Sequence, residues 1–306
     1  MIAKLFSPDS KISILEKNLP EAIEKLSPCM ACPRQCLTDR TAGETGECGI
    51  PIEIGIASAN LHYGEEPPIS GERGSGTIFL TGCNLHCVYC QNYPISQYRN
   101  GQLYTPNEVA AMMLDLERRG AHNINFVTPS HYLPQLMETM LIAYRKGMQI
   151  PIVYNSSGYD SVEMLKLLED VIDIYMPDMR YADSNFSQKY SGAANYPEIN
   201  RAAIKEMHRQ VGVLEMVDDI AVKGLLIRHL VLPGGISGSK EIFDFIAREI
   251  SEETYVAVMS QYFPAYKSGN CPEISERISE QEYEQALDWF YEAGLNNGFI
   301  QPYMEE

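Results

Sequence analysis

Cys83-Asn84-Leu85-His86-Cys87-Val88-Tyr89-Cys90 directly follows the short apolar run Thr77-Ile78-Phe79-Leu80-Thr81-Gly82. The run reads as a buried strand that stops at a glycine. Behind it stand three cysteines at CxxxCxxC spacing. Three thiolates can hold three irons of a [4Fe–4S] cluster. The fourth iron then has no protein ligand and is open to a small molecule. A closed structural site takes four ligands, whereas a site with a free position is built for chemistry. The competing readings are a zinc knuckle or three buried thiols. Zinc sites usually pair two short Cys-x-x-Cys turns, and the strand-loop position, with Gly82 and Asn92 at its flanks, favours the cluster.

From Thr77 onward, strand-like and helix-like segments alternate. The candidate strands are Thr77–Thr81, Asn123–Val127, Ile152–Asn155, Ile172–Met176, Leu225–Leu232 and Tyr255–Gln261. All are short and apolar, as strands buried on both faces should be. Thr105-Pro106-Asn107-Glu108 is a capping box with proline at the first helical position. Val109, Met112, Met113 and Leu116 then form one apolar stripe that ends at Gly120. Leu133 to Tyr144 repeats the pattern, and Ser279-Glu280-Gln281-Glu282 opens a helix through Trp289. Ser161–Leu168, Ile199–Val211 and Lys240–Ile250 are less regular helices. Strand-helix alternation implies parallel strands with right-handed crossovers. Six such units suit an α/β fold, a partial (β/α)6 barrel over residues 76–306. In such a barrel the chemistry belongs at the C-terminal strand ends, where Cys83 to Cys90 lies. Residues 1–75 read as an irregular appendage with one helix from Ser10 to Leu26 and a cysteine-rich segment.

That segment carries Cys29, Cys32, Cys36 and Cys48. Four thiolates would close a tetrahedral zinc site or fill a second iron–sulfur cluster; alternatively they are reduced structural thiols. Seven of the eight cysteines fall in these two tight groups, which suits metal binding in a reducing cytosol better than a secreted disulfide framework. Cys271 stands alone in a turn. The formal net charge of −17 over 306 residues argues against a nucleic-acid or anionic-membrane surface, both of which need a basic face. No apolar run of membrane-spanning length and no leader-like opening are visible, so a cytoplasmic protein is expected.

The aromatic residue before Cys90, Tyr89, completes a pattern that resembles the radical S-adenosylmethionine (SAM) enzymes. The resemblance extends along the chain to the glycyl-radical-enzyme activase group, and within it to iron–sulfur proteins homologous to pyruvate formate-lyase activating enzyme. It includes Cys29-x-x-Cys32-Pro33-Arg34-x-Cys36, Gly43-Glu44-Thr45-Gly46-Glu47-Cys48, Gly64-Glu65-Glu66-Pro67-Pro68, Gly74-Ser75-Gly76-Thr77 and Cys90-Gln91-Asn92-Tyr93. It continues through Asn123–Pro129, Asn155–Tyr159, Pro177-Asp178 and Arg228-His229-Leu230-Val231-Leu232-Pro233-Gly234. The resemblance implies a partial barrel, a [4Fe–4S] cluster on Cys83, Cys87 and Cys90, and SAM chelated to its open iron. One electron from a flavodoxin or ferredoxin then cleaves the sulfonium to methionine and a 5′-deoxyadenosyl radical. The radical takes hydrogen from a substrate, in an activase a glycine of a partner glycyl radical enzyme.

By the same resemblance, Tyr89, Thr128, Ser130, Asn155, Ser156, Asp178, Arg180 and His229 are candidates for SAM contact. Asp178 and Arg180 resemble an activase Asp-x-Lys pair, and His229 matches a histidine beside the nucleoside. Two carboxylates of the activase pattern are absent: Val127-Thr128-Pro129-Ser130-His131 stands for a Gly-Gly-Glu segment, and Asn155-Ser156-Ser157-Gly158 for Asp-Thr-Asn-Gly. Turn or cap roles for Thr128, Ser130, Asn155 and Ser156 remain open, as do a solvated ion pair for Asp178 and Arg180 and a core role for His229. His86 and His131 are weaker candidates. The alternatives to activation are another radical SAM modification of a protein or small molecule, or a non-catalytic iron–sulfur electron carrier. Gln261-Tyr262-Phe263-Pro264-Ala265-Tyr266 would border the barrel mouth.

Overall fold

The computed structural model describes residues 8–303. Its strands are β1 (Ile54–His62), β2 (Ser75–Leu80), β3 (Gln102–Tyr104), β4 (Ile124–Val127), β5 (Ile152–Ser156), β6 (Ile174–Pro177), β7 (Glu215–Val217), β8 (Ile220–Leu230), β9 (Tyr255–Met259) and β10 (Gly298–Ile300). They form one open sheet in the order β10-β9-β8-β6-β5-β4-β2-β1-β3, with β7 paired to β8. The six expected strands are β2, β4, β5, β6, β8 and β9, and every pairing among them is parallel. The fold is the partial α/β barrel that the alternation predicts.

The N-terminal stretch is less irregular than the sequence suggests. Its β1 pairs antiparallel with β2, and β3 pairs antiparallel with β1. Residues 55–60 are Gly, Ile, Ala, Ser, Ala and Asn, mostly poor strand formers; pairing with β2, not propensity, makes this strand. The β7–β8 hairpin was also not expected. Its turn residues Asp218 and Asp219 have φ of 51° and 63°, the left-handed pair that a tight hairpin of this hand requires.

Register divides the sheet into two faces. Val127 pairs with Asn155, Asn155 with Met176, and Asp178 bridges Arg228. Residues two apart along a strand share a face, so Val153, Asn155, Ile174, Met176, Asp178, Leu226 and Arg228 all look into the barrel. Val153, Ile174, Met176 and Leu226 pack there with Ile69, from the turn of helix Pro67–Ser70. That turn follows β1 and plugs the floor of the barrel. The opposite face is covered by helices Pro106–Arg118, Leu133–Arg145, Val162–Lys166, Tyr196–Val211, Ser239–Phe245 and Glu280–Glu292. Both predicted capping boxes form, on Thr105 and Ser279. Among the described residues no helix is long and apolar enough to cross a membrane.

Helix Pro8–Glu24 is tied to the barrel through Lys11. Its buried ammonium lies 2.6 Å from both carboxylate oxygens of Asp173 and donates to Tyr144 Oη at 3.2 Å. Burial pushes both charges towards neutrality and their attraction opposes it. Asp173 also accepts from Ile152 N–H at 2.8 Å, which anchors β5. Lys11→Ala would leave a buried carboxylate uncompensated and should cost about 3–5 kcal/mol in urea unfolding. A loss below about 1 kcal/mol would show instead that the pair behaves as a solvated one.

Candidate active site

Gly82 turns the chain out of β2 at φ +72°, and a Cβ there would sit 2.5 Å from Ile50 Cγ2 and 2.9 Å from Cys48 O. Only glycine meets both demands. The loop that follows is held from outside. His86 N–H and Val88 N–H donate to the carbonyls of Ser191 and Tyr190, and Lys267 N–H donates to Val88 O. Each thiol has a directed donor. Leu85 N–H reaches Cys83 Sγ at 3.4 Å, Ser96 Oγ lies 3.1 Å from Cys90 Sγ, and Ser191 Oγ lies 2.9 Å from Cys87 Sγ. Arg180 adds Nη1 to Cys87 Sγ at 3.1 Å.

Burial, with help from the two neighbouring thiols, pushes Cys83 up to about 12. Bare Cys83 is therefore protonated, and cationic iron is what would hold it as thiolate. Three thiols on one loop, each beside an amide, hydroxyl or guanidinium group, are a donor set that fits a [4Fe–4S] cluster with one iron left open.

Above the loop, a chain of charges crosses the lumen. Asp178 is clamped between two arginines: Arg180 Nε and Nη2 donate to Oδ2 at 3.0 and 2.6 Å, and Arg228 Nε donates to Oδ1 at 2.9 Å. Burial opposes ionisation of Asp178, but Arg228 and Arg180 outweigh it and hold the carboxyl below the usual range. Arg228 Nη2 donates to Asn155 Oδ1 at 2.8 Å, and its Nη1 lies 3.5 Å from Glu65 Oε2. Glu65 Oε1 accepts from Asn125 Nδ2 at 3.1 Å and from Asn155 Nδ2 at 3.5 Å. The network runs from the floor plug to Cys87 and offers both signs of charge.

The structure brings together Cys83, Cys87, Cys90, Asn155, Asp178 and Arg180. Tyr89 is buried beside them, accepting from Tyr181 Oη at 2.6 Å. Thr128 follows β4 at φ +62°. A β-branched residue rarely adopts that conformation, and such strain gathers at functional sites.

Three expectations need correction. His229 is fully buried on the helix side of β8, one residue out of phase with Arg228. Its Nδ1 faces Met179 O at 2.8 Å, its Nε2 faces Ser239 Oγ at 2.9 Å, and Phe243 packs against its ring. It is a core histidine, not a lumen group. Ser156 likewise points away and donates to Asp160 at 2.6 Å. Ser130 is buried against Asp160 and Tyr154, outside the lumen. His131 is a buried core residue with Nε2 on Thr81 O at 3.0 Å, and His86 pairs with Glu47 on the outer side of the loop. Arg228, Glu65 and Ser191 escaped sequence reasoning. Alternation could have found Arg228, since Leu226 and Arg228 share a face and His229 does not. Glu65 lay within the quoted Gly64-Glu65-Glu66-Pro67-Pro68 motif, but nothing local tells that it reaches the lumen.

A model of the radical SAM superfamily matches residues 77–234, the stretch from β2 to the end of β8. The chain belongs to the radical SAM superfamily. An uncharacterised protein of Methanocaldococcus jannaschii is 33% identical over 288 residues, 91% of this chain and 78% of the relative. A second from the same organism is 24% identical over 86% of this chain and 80% of its own length. Among solved structures, the fold is similar to a radical SAM methyltransferase from Sphaerobacter thermophilus (TM-score 0.51, 15% identity, 74% of this chain). It is also similar to HydG, a maturase of the [FeFe]-hydrogenase (TM-score 0.53, 12% identity, 99% of this chain). The chain spans 66% of each of those two structures. Membership of this superfamily makes the protein an enzyme and implies a [4Fe–4S] cluster and SAM.

Burial pushes the radical SAM protein's His229 down to about 4, against about 6.5 in an unfolded chain. The unfolded state therefore binds more protons between those values. Stability should be full above about pH 6.5 and fall as the pH drops towards 4. His131, also held to about 4 by burial, contributes to the same slope. His229→Gln should flatten this slope and leave SAM affinity unchanged, as read by urea melts and isothermal titration across the window. A loss of SAM affinity would return His229 to the pocket.

Proposed function

We propose that Cys83, Cys87 and Cys90 hold the cluster, that the lumen residues hold SAM against it, and that hydrogen is taken from a backbone glycine of a partner protein. The carrying observation is Arg180, whose guanidinium touches both Cys87 Sγ and Asp178. When bound, cluster and SAM supply a 5′-deoxyadenosyl radical on one-electron reduction, with flavodoxin or ferredoxin as donor; everything else is positioning by this chain. Arg180 is a quarter exposed and suits SAM's carboxylate by a charge-assisted contact. Asp178 orients that guanidinium. Glu65 brings a carboxylate to the lumen, where the loop after β4 has none and Asp160 after β5 turns away to Tyr154 and Ser156, and it suits an ammonium group. Ser191 and the loop amides soften the negative charge at sulfur.

The glycine-activating reading is supported by the motifs shared with the activases and by the open side of the sheet. Beside the cysteine loop, Tyr93 stacks on Tyr266 with ring centroids 5.1 Å apart. Tyr98 and Phe263 are 58% and 39% exposed. Such rings offer flat contact to an extended peptide. Tyr262, expected at this lip, is instead buried, with its hydroxyl on Ile274 O.

Cys87→Ala should abolish formation of 5′-deoxyadenosine while the fold is kept; undiminished SAM cleavage would exclude the triad. Arg180→Ala should weaken SAM binding by about 1.5–3 kcal/mol, the range for a hydrogen bond to a charged group. For the substrate, the deciding measurement is electron paramagnetic resonance of a candidate partner after anaerobic incubation with this enzyme, SAM and reductant. A glycyl-type doublet that disappears with Cys87→Ala supports activation. Isotope exchange between 5′-deoxyadenosine and a small metabolite, with no partner radical, would refute it.

A further inference from the structure

Besides the lone Cys271, the mechanism leaves four thiols of the N-terminal segment unused. Cys29, Cys32 and Cys48 are buried and Cys36 is half-buried. They lie within electrostatic reach of one another: Cys32 feels Cys48, Cys29 and Cys36, and Cys48 feels Cys29 and Cys36. Backbone amides are aimed at three of the sulfurs. Arg34 N–H points to Cys32, Ile50 N–H to Cys48, and Glu47 N–H to Cys36 at 3.3 Å. Two of these amides stand two residues after their cysteine, the same device that Leu85 provides for Cys83 in the barrel loop. These amides give the sulfurs the same kind of hydrogen-bonded surroundings as the barrel triad has.

The loop is also bent at some cost. Gln35 and Leu37 flank Cys36 with φ of 44° and 59°, a conformation uncommon outside glycine. Gly46 clears space for the same thiol, since a Cβ there would meet Cys36 Sγ at 2.7 Å. Strain of this kind persists where the surroundings require it. Simple packing of four small apolar side chains does not require it.

We infer that Cys29, Cys32, Cys36 and Cys48 form a second, closed iron–sulfur site packed against the loop of the first. Four thiolates leave no iron open, so this site carries electrons and binds no small molecule. Iron–sulfur is favoured over zinc by the surroundings: the set packs against the barrel loop, where an electron carrier has an acceptor beside it, and it repeats the amide-after-cysteine contact of Cys83. Proximity to the barrel loop is direct. Cys48 O limits the space at Gly82, the residue before Cys83. Arg34 Nε donates to Asn84 O at 2.7 Å, and Glu47 lies 3.2 Å from His86 Nε2.

The test uses the full chain with Cys83, Cys87 and Cys90 all replaced by alanine, reconstituted anaerobically with iron and sulfide. It should retain about four irons per chain, as one [4Fe–4S] cluster requires, and show a paramagnetic signal on reduction. Both should vanish on adding Cys32→Ala and Cys48→Ala. Closed thiolate sites couple to folding, so the wild-type count serves as a readout that does not depend on the folding of that last variant. Wild-type protein should carry about eight irons rather than four, and its fully reduced spectrum should show spin coupling absent from the triad variant. One zinc per chain with no iron in the triad variant, no metal there at all, or about four irons in the wild type would overturn the inference. The outcome is independent of the substrate, because none of these readouts involves hydrogen abstraction.

Discussion

The carboxylate of Asp178, gripped by Arg180 and Arg228, ties the site together. It joins the end of β6 to β8, and through Arg180 it reaches the thiol of Cys87. Asp178 is buried and its two arginines are partly so, and charges persist in such places only if they are paired and hydrogen-bonded. Removing any one would leave its partners exposed to a low dielectric with no compensation. The clamp therefore sets where a charged ligand can lie, and the rest of the lumen is arranged around it.

That arrangement is a consequence of strand phase. Parallel pairing aligns Asn155, Met176, Asp178 and Arg228 on one face and sends His229 and Ser156 to the other. A shift of a single residue reverses the direction of a side chain. Two neighbours in sequence, Arg228 and His229, accordingly have unrelated environments: one in a polar network, the other neutral in the helix-packed core.

The N-terminal quarter completes the site. Its strand β1 covers one edge of β2, its floor turn brings Glu65 into the lumen, and its cysteine-rich loop fits against Gly82. The lumen thus receives its second carboxylate from outside the strand ends, through Glu65. Three of the four thiols of that loop have a backbone amide aimed at them, as Cys83 has from Leu85.

The order of strands and helices, the capping boxes at Thr105 and Ser279, and the superfamily of the cysteine triad were all legible in the sequence, because each depends on short-range periodicity or spacing. The six parallel strands came from apolar runs close to their true limits, except that β8 begins five residues before the expected Leu225, at Ile220. Asp178 and Arg180 were legible as a pair because only one residue separates them in the chain. What tertiary structure alone decided was pairing at a distance. Nothing local makes residues 54–62 a strand; β2 does, by satisfying their backbone hydrogen bonds. Nothing local brings Glu65 to Arg228 across 163 positions of chain, or chooses Arg228 over His229 for the lumen. Those outcomes follow from sheet register and from the cost of leaving buried charges unpaired, and both are properties of the folded whole.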